Sequence, residues 1–291
     1  MISGFINLNK PSKITSNKAL GILKAVLKSK GFTDKIGHMG TLDPLACGVL
    51  PIALGRATRL FDYTLDKVKE YEAEFIFGAQ SPSLDIDTEV VYDDTIDVEE
   101  DAVVRAMSTL IGEIDQIPPI YSAKSVGGVR AYELARKGKE VELKPKRIKI
   151  FSLELIEKVK KNTYRIKIKC SGGTYVRAIG RDIASLLNTT AVMSALTRTQ
   201  SGIFTLDNAI TLEEVGNESF DFISKVIPCE ELLIDYKKLL LNERQQRLLL
   251  NGIKIDVDNV DGFYSVYGVD DNLLGVGQVV ESKLTLKTWL I

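Results

Sequence analysis

The 291-residue chain contains one histidine, three cysteines and one tryptophan. None of its apolar runs approaches the ~20 residues that cross a bilayer. A single histidine, His38, cannot build a three-histidine zinc site or a two-histidine facial triad, and any Ser-His-Asp mechanism would have to pass through it alone. Cys47, Cys170 and Cys229 are odd in number and far apart, with no Cys-x-x-Cys pair. Neither a disulfide framework nor a zinc ribbon is expected, and the three read as small buried hydrophobes. Catalysis is expected to be metal-free. Met1 to Phe5 shows no basic region followed by an apolar segment, so no secretory signal is read and the cytoplasm is the expected compartment. Hydrophobic residues at 45% and charged residues at 26% exclude collagen-like and disordered classes. The length allows one large domain or two.

Net charge is also lacking, with Lys+Arg 38 against Asp+Glu 39, but charge is segregated along the chain. Residues 1–42 carry Lys10, Lys13, Lys18, Lys24, Lys28, Lys30 and Lys35 against Asp34 alone. From Asp85 to Asp101 there are acids and no basic residue, and from Lys124 to Lys149 the balance is again strongly basic. Two basic blocks meeting on one face would attract phosphates, although the same pattern also suits solvated surfaces.

Gly4–Pro11 reads as a short strand stopped by proline. Thr15 or Ser16 can cap a helix with Ala19, Leu20, Leu23, Val26 and Leu27 inward and Gly31 past its end. Residues 67–77 alternate as a half-buried strand with Tyr71, Ala73, Phe75 and Phe77 on one face. A helix is expected near Glu99–Ile111, with Asp97 and Glu100 at capping-box spacing. Tyr164–Cys170 reads as a strand whose outer face, Arg165, Lys167 and Lys169, is wholly basic. After Gly172-Gly173, Thr174 can cap a helix with Val176, Ile179, Ile183, Leu186 and Leu187 inward. Periodicity lapses near Ile227–Glu231, beyond which come a helix at Asn242–Leu250 and strands near Phe263–Tyr267 and Leu273–Val280. Strands and helices mix without a regular βα repeat, which favours an α+β fold.

The segment Gly37–Gly48, with three glycines and Pro44, forbids a regular element. Pro44 biases Asp43 toward extended backbone, and the glycines let another molecule approach the main chain. A carboxylate placed there can serve as nucleophile or base, while an aspartate bonding its own backbone in a turn fits the same spacing. Neither a phosphate-loop pattern nor a dinucleotide-binding glycine pattern is present.

The run Gly37-His38-Met39-Gly40-Thr41-Leu42-Asp43-Pro44-Leu45-Ala46-Cys47-Gly48-Val49-Leu50-Pro51 resembles the signature of TruB-type tRNA pseudouridine synthases, which convert uridine 55 of the T-loop to pseudouridine. It is joined in the family's order by Lys10-Pro11, Lys69-Glu70-Tyr71, Gln116 to Ala123, Arg130 to Gly138, Gly172 to Arg177, and Leu196-Thr197-Arg198-Thr199. The similarity spans residues 1 to about 215, with a weaker likeness to a PUA RNA-binding module at the end. It implies a mixed, mainly antiparallel sheet of the pseudouridine synthase type with flanking helices over residues 1–235, and a short, β-rich PUA-like module over 236–291. It makes Asp43 the catalytic nucleophile, with attack on the sugar, attack on the base and a glycal route all open. Arg177 is then its ionic partner, and Tyr71 stacks on the flipped uracil and is a candidate for proton removal at C5. Tyr175 and Leu196 line the base pocket, His38 fills space beside the displaced bases, and Lys10 lies near the pocket. Read without the resemblance, Arg177 and Tyr175 suit a helix surface, and Tyr71 and Leu196 suit ordinary core. The resemblance also implies no metal or organic cofactor, the tRNA T-arm as partner, no obligatory protein partner and a monomer.

One departure stands out. Where family members commonly show Thr-Asp-Thr followed by Asp-x-Asp-Gly, this chain has Ser81-Pro82-Ser83-Leu84-Asp85-Ile86-Asp87-Thr88. Two competing readings remain at this point. A non-catalytic RNA-binding or RNA-folding protein would use the same basic surface, and a guide-RNA-dependent pseudouridine synthase would need partner proteins and longer basic extensions.

Overall fold

The computed structural model describes residues 2–65, 67–121, 125–126, 129–130 and 143–291. Most of the second basic block and of the Arg130–Gly138 motif, together with Ser122 and Ala123, lies outside the described residues.

The main sheet is built from β1 (Gly4–Lys10), β2 (Cys47–Leu54), β3 (Lys69–Phe77), β4 (Gly112–Gln116), β5 (Lys146–Lys160), β6 (Thr163–Cys170), β7 (Ala191–Ser201) and β8 (Ile210–Thr211). Their order in space is β8-β1-β2-β7-β3-β6-β5-β4, and two short strands at Ile36–His38 and Phe204–Thr205 bring the sheet to ten. The β1–β8 and β2–β7 pairs are parallel and the rest antiparallel, so the fold is the mixed, mainly antiparallel α+β arrangement expected. The helices α1 (Ser16–Ser29), α2 (Glu100–Thr109) and α3 (Val176–Leu186) pack their apolar stripes into the same core as Phe75, Phe77, Ile166 and Ile168. In α1 the Thr15 hydroxyl caps the Lys18 amide at 3.1 Å, and Ala19, Leu23 and Leu27 are buried.

Gly180 lets α3 come close to β3, because a Cβ there would stand 2.4 Å from the Phe75 ring. One turn earlier on α3 lies Arg177, whose guanidinium reaches Asp43.

Several local expectations are corrected. Asp97 does not cap α2, whose N-cap is Glu99 without a side-chain bond. The chain is pinned one residue earlier: the Val98 amide donates to Asn162 Oδ1 at 2.9 Å, and the Val98 carbonyl accepts from the Tyr164 hydroxyl at 2.6 Å. Nor does Thr174 cap α3, since its hydroxyl donates to Ser171 O and the N-cap residue is Tyr175, whose amide donates to Gln116 Oε1 at 2.8 Å. Leu186 points to solvent, and Leu187, just past the helix, takes the core position.

The basic face of β6 is neutralised rather than free. Arg165, Lys167 and Lys169 stand opposite Glu74, Glu72 and Glu70 of β3, with ion pairs of 3.3 Å for Arg165–Glu74, 3.8 Å for Lys167–Glu70 and 2.9 Å for Lys169–Glu70. Cross-strand pairing of opposite charges is favourable, and it leaves little net field.

The C-terminal part forms a five-stranded sheet from β9 (Lys237–Leu240), β10 (Ile255–Asp256), β11 (Gly262–Tyr267), β12 (Leu273–Val280) and β13 (Lys283–Trp289), in the order β9-β11-β12-β13-β10. The helix α4 (Glu243–Leu250) begins with a capping box between Asn242 and Gln245. This sheet leans on the rest of the chain: Tyr267, Leu273, Val276 and Leu290 share a buried cluster with Phe5, Val49, Ala53, Ala57 and Phe204. Arg59 donates to Trp289 O at 2.8 Å, and the Tyr63 and Thr288 hydroxyls bond at 2.9 Å. Among the described residues no helix is long and apolar enough to cross a membrane.

Candidate active site

The Asp43 segment leaves the short strand Ile36–His38 and enters β2, and its irregular middle is held from two sides. Residues before α1 supply one clamp. The Lys13 amide donates to Pro44 O at 2.8 Å, Ser12 Oγ to Leu45 O at 2.7 Å, and the buried Ser16 hydroxyl binds both the amide and the carbonyl of Leu42 at 2.8 Å. Arg198 of β7 supplies the other, donating through Nε to Val49 O at 2.7 Å and through a terminal nitrogen to Gly40 O at 3.2 Å. Gly48 is required here: its φ is +98°, and a Cβ would lie 2.3 Å from Arg198 O. The backbone bonds that a loop normally gives to water are thus made internally, which fixes where the Asp43 side chain points.

Asp43 does pair with Arg177, at 3.0 Å, as the family likeness implies. Arg177 is 8% exposed, and both terminal nitrogens of its guanidinium are engaged: it also meets Asp85 at 3.3 Å and donates to Ser83 O at 2.8 Å and Tyr121 O at 3.0 Å. The two carboxylates differ sharply, Asp85 being 3% exposed and Asp43 37%. One acid is the anchor and the other faces outward. A fork-shaped cation can bridge two acids in this way, and deleting it would strand a buried charge at a cost of about 3–5 kcal/mol.

Tyr71 of β3 and Arg198 of β7 are direct cross-strand partners. Tyr71 is 7% exposed, and its phenol is pushed upward in pKa first by burial, with Cys170 and Asp43 adding to the rise and the Arg198 charge and hydrogen bond opposing it. It remains protonated at neutral pH. Leu196 is buried on the same strand as Arg198 and faces Ala73, diagonal to the Tyr71–Arg198 pair. Lys10, at the end of β1, is fully buried and donates to Pro11 O at 2.9 Å and Ile14 O at 2.7 Å. Burial lowers its pKa, while the nearby Cys47 and Asp43 oppose the drop. Lys10, Asp43, Tyr71 and Arg198 therefore share one electrostatic neighbourhood. Tyr175 stands half-buried at the start of α3, two residues before Arg177. His38 stands at the end of the short strand Ile36–His38, where the charge of Arg198 reaches it.

Four residues gain a place that the sequence reading did not give them. Asp85 was noted only within an acidic run and the Ser81–Thr88 departure, and Arg198 only as part of a motif, because their partners lie far away in the chain. Cys47 is half-buried rather than a core thiol, with Sγ 3.2 Å from Thr197 Oγ1. Asp87 also belongs here: burial and then the charges of Asp85 and Asp43 raise its pKa against the pull of Arg177. Among the described residues no group of three or more His, Cys, Asp or Glu is arranged to hold a metal ion. Cavities of ≈170 Å³ beside α1, floored by Leu27, Phe32 and Ile36, and of ≈380 Å³ beside α4 both lie away from Asp43.

His38 Nδ1 is buried without a hydrogen-bond partner, and burial, then the charge of Arg198, lowers the imidazole pKa from its ordinary 6.5. The folded chain therefore binds this proton less readily than the unfolded chain, so this group's effect is to lower stability as pH falls through the ordinary histidine range. Because the chain has no other histidine, a proton NMR titration reads the group directly. The expected midpoint lies below 6.5; a value at or above it would contradict the described environment.

Residues 24–176 match the family model described as TruB family pseudouridylate synthase, N-terminal domain. The chain is 36% identical over its full length to tRNA pseudouridine synthase B of Clostridium perfringens, covering 99% of that protein. It is 38% identical over 95% of its length to the Clostridium tetani protein of the same name, covering 96% of it. Among solved structures, one of an H/ACA ribonucleoprotein bound to a substrate RNA containing 2′-deoxyuridine superposes with a TM-score of 0.72 at 24% identity, over 99% of this chain and 85% of that one, which supports the fold. With the Asp43 motif and sheet in place, the full-length matches make the chain a member of the TruB family of pseudouridylate synthases.

Proposed function

We propose that the chain converts uridine to pseudouridine in tRNA, at position 55 of the T-loop, with Asp43 as the carboxylate that initiates the exchange. One observation carries the reading: in a chain of this family, Asp43 is held 3.0 Å from a buried arginine yet keeps 37% of its side chain open. A non-catalytic RNA binder has no use for such a carboxylate.

The reaction is an isomerisation. The N1–C1′ bond breaks, the uracil turns, a C5–C1′ bond forms, and the proton lost from C5 is balanced by one gained at N1. No electrons are exchanged with an outside group, so the chemistry asks for a held base, an oriented carboxylate and a proton acceptor. Arg177 orients Asp43 beside the base through the 3.0 Å ion pair. Tyr71 supports the everted uracil from the β3 side. Base extrusion costs a few kcal/mol, and stacking on an aromatic ring returns about 1–3 kcal/mol. Because Tyr71 is 7% exposed, the residues covering its ring move as the base enters. Leu196 and Tyr175 complete the walls, and Lys10 fixes the turn that clamps the Asp43 segment.

RNA affinity is assigned to lysines that lack acidic partners. Lys13 and Lys18 are exposed, beside Pro44 and in the first turn of α1, and form no ion pair among the described residues. The β6 lysines are instead paired with glutamates. Residues 1–235 act as the catalytic domain and 236–291 as a short PUA-like RNA-binding module, and the chain works in the cytoplasm as a monomer without an obligatory protein partner. The T-arm of tRNA is its binding target.

In assays on a T-arm hairpin, Asp43→Asn is expected to bind RNA within about twofold of the parent and to lose at least roughly 10²-fold in pseudouridine formation; retained turnover would overturn the assignment. Replacing Lys13 and Lys18 together by alanine is expected to weaken RNA binding and to flatten its dependence on log salt by about one to two. Replacing Lys167 and Lys169 should change that slope less. An equal effect of the two pairs would refute the division of the basic residues.

A further inference from the structure

The departure at Ser81–Thr88 is built around the anchor acid. Asp85 Oδ2 binds Arg177, and Oδ1 accepts from the Ser83 hydroxyl at 2.5 Å and from the Asp87 amide at 3.1 Å. Ser83 in turn serves two partners, since its carbonyl accepts from Arg177 at 2.8 Å while its hydroxyl lies 2.6 Å from the Thr88 hydroxyl. The Ser83 amide also reaches Thr88 Oγ1 at 3.3 Å. The Asp85 carbonyl accepts from Ser81 Oγ at 2.6 Å, and the loop is stitched to β7 through Met193, which donates to Leu84 O at 3.0 Å and accepts from Ile86 N at 3.2 Å.

Building on the function proposed above, we propose that Ser83 and Thr88 are positioning residues for the Asp43 site, acting through Asp85 and Arg177. The physical reason lies in the sharing of Arg177 between two acids. Asp85 can swing toward Arg177 or away from it unless its second oxygen is tied down, and any such swing changes how much of the guanidinium is left for Asp43. A single serine hydroxyl has one proton and rotates freely. Thr88 meets the Ser83 oxygen from the other side, so with the Thr88 proton directed at Ser83 the Ser83 proton is left for Asp85, whose Oδ1 lies at 2.5 Å and whose carbonyl lies at 3.3 Å. A glycine at position 88 could not supply that second hydroxyl. The hydroxyl network of this chain thus replaces whatever the glycine-containing pattern uses to steady the same turn.

The test compares Thr88→Val, which keeps the shape and removes the hydroxyl, with Thr88→Ser, which keeps the hydroxyl. Single-turnover pseudouridine formation at saturating enzyme, the Kd for a T-arm hairpin and the thermal midpoint are measured for both, beside the parent chain. Thr88→Val is expected to slow the chemical step about five- to tenfold, the size of one lost buried hydrogen bond. Its Kd should stay within about twofold, and Thr88→Ser should restore the rate. Should Thr88→Val fail to fold, Thr88→Ala carries the same comparison. A valine or alanine variant with the parental rate, a serine variant as slow as valine, or a loss confined to Kd would overturn the proposal. Absence of pseudouridine with the parent chain would overturn the functional reading and this inference with it, whereas an active parent with unaffected variants would sink this inference alone.

Discussion

A buried guanidinium shared between two carboxylates organises this molecule's chemical end. Arg177 is inside the protein, where an unpaired charge is costly, and Asp85 supplies the neutralising partner. That arrangement leaves Asp43 free to be the exposed member of the trio, steered by Arg177 but not enclosed with it. Three elements build this geometry: α3 carries the arginine, the 81–88 turn carries the anchor, and the segment between α1 and β2 carries the exposed acid.

The sheet makes the convergence possible. Parallel pairing of β2 with β7 puts Cys47 opposite Thr197 and Gly48 opposite Arg198, while antiparallel pairing of β7 with β3 puts Arg198 opposite Tyr71. Arg198 consequently touches the Asp43 segment on one side and Tyr71 on the other. Close approach at Gly48 and Gly180 tightens the same region, one by letting the main chain of β2 reach Arg198 and the other by letting α3 settle on Phe75. The backbone hydrogen bonds of this frame are made within the protein itself, which is the property of a preorganised site.

Local periodicity made the framework legible. Alternation in β3 and β6, the Thr15 cap of α1 and the short helix near Asn242–Leu250 depend on residues close together in sequence, and they stand where the pattern puts them. Asp43 was visible because glycine and proline around it exclude a regular element. What sequence could not display is pairing at a distance. The face of β6 read as wholly basic until β3 placed glutamates across from it. Arg198 and Asp85 gain meaning only once β7 and the 81–88 turn meet the site. The α2 and α3 caps failed for the same reason, because Asn162 from the β5–β6 turn and Gln116 from the end of β4 reach in and take over backbone amides at those starts.

The central claim is that Arg177 works as a planar fork spanning two acids, not merely as a positive charge. Arg177→Lys keeps the charge but offers a compact ammonium that cannot face Asp43 and Asp85 together in the same geometry. Single-turnover pseudouridine formation by this variant on a bound T-arm hairpin is the most direct measurement. The account predicts a fall of at least about tenfold with RNA binding retained; a lysine variant that turns over at the parental rate would contradict it.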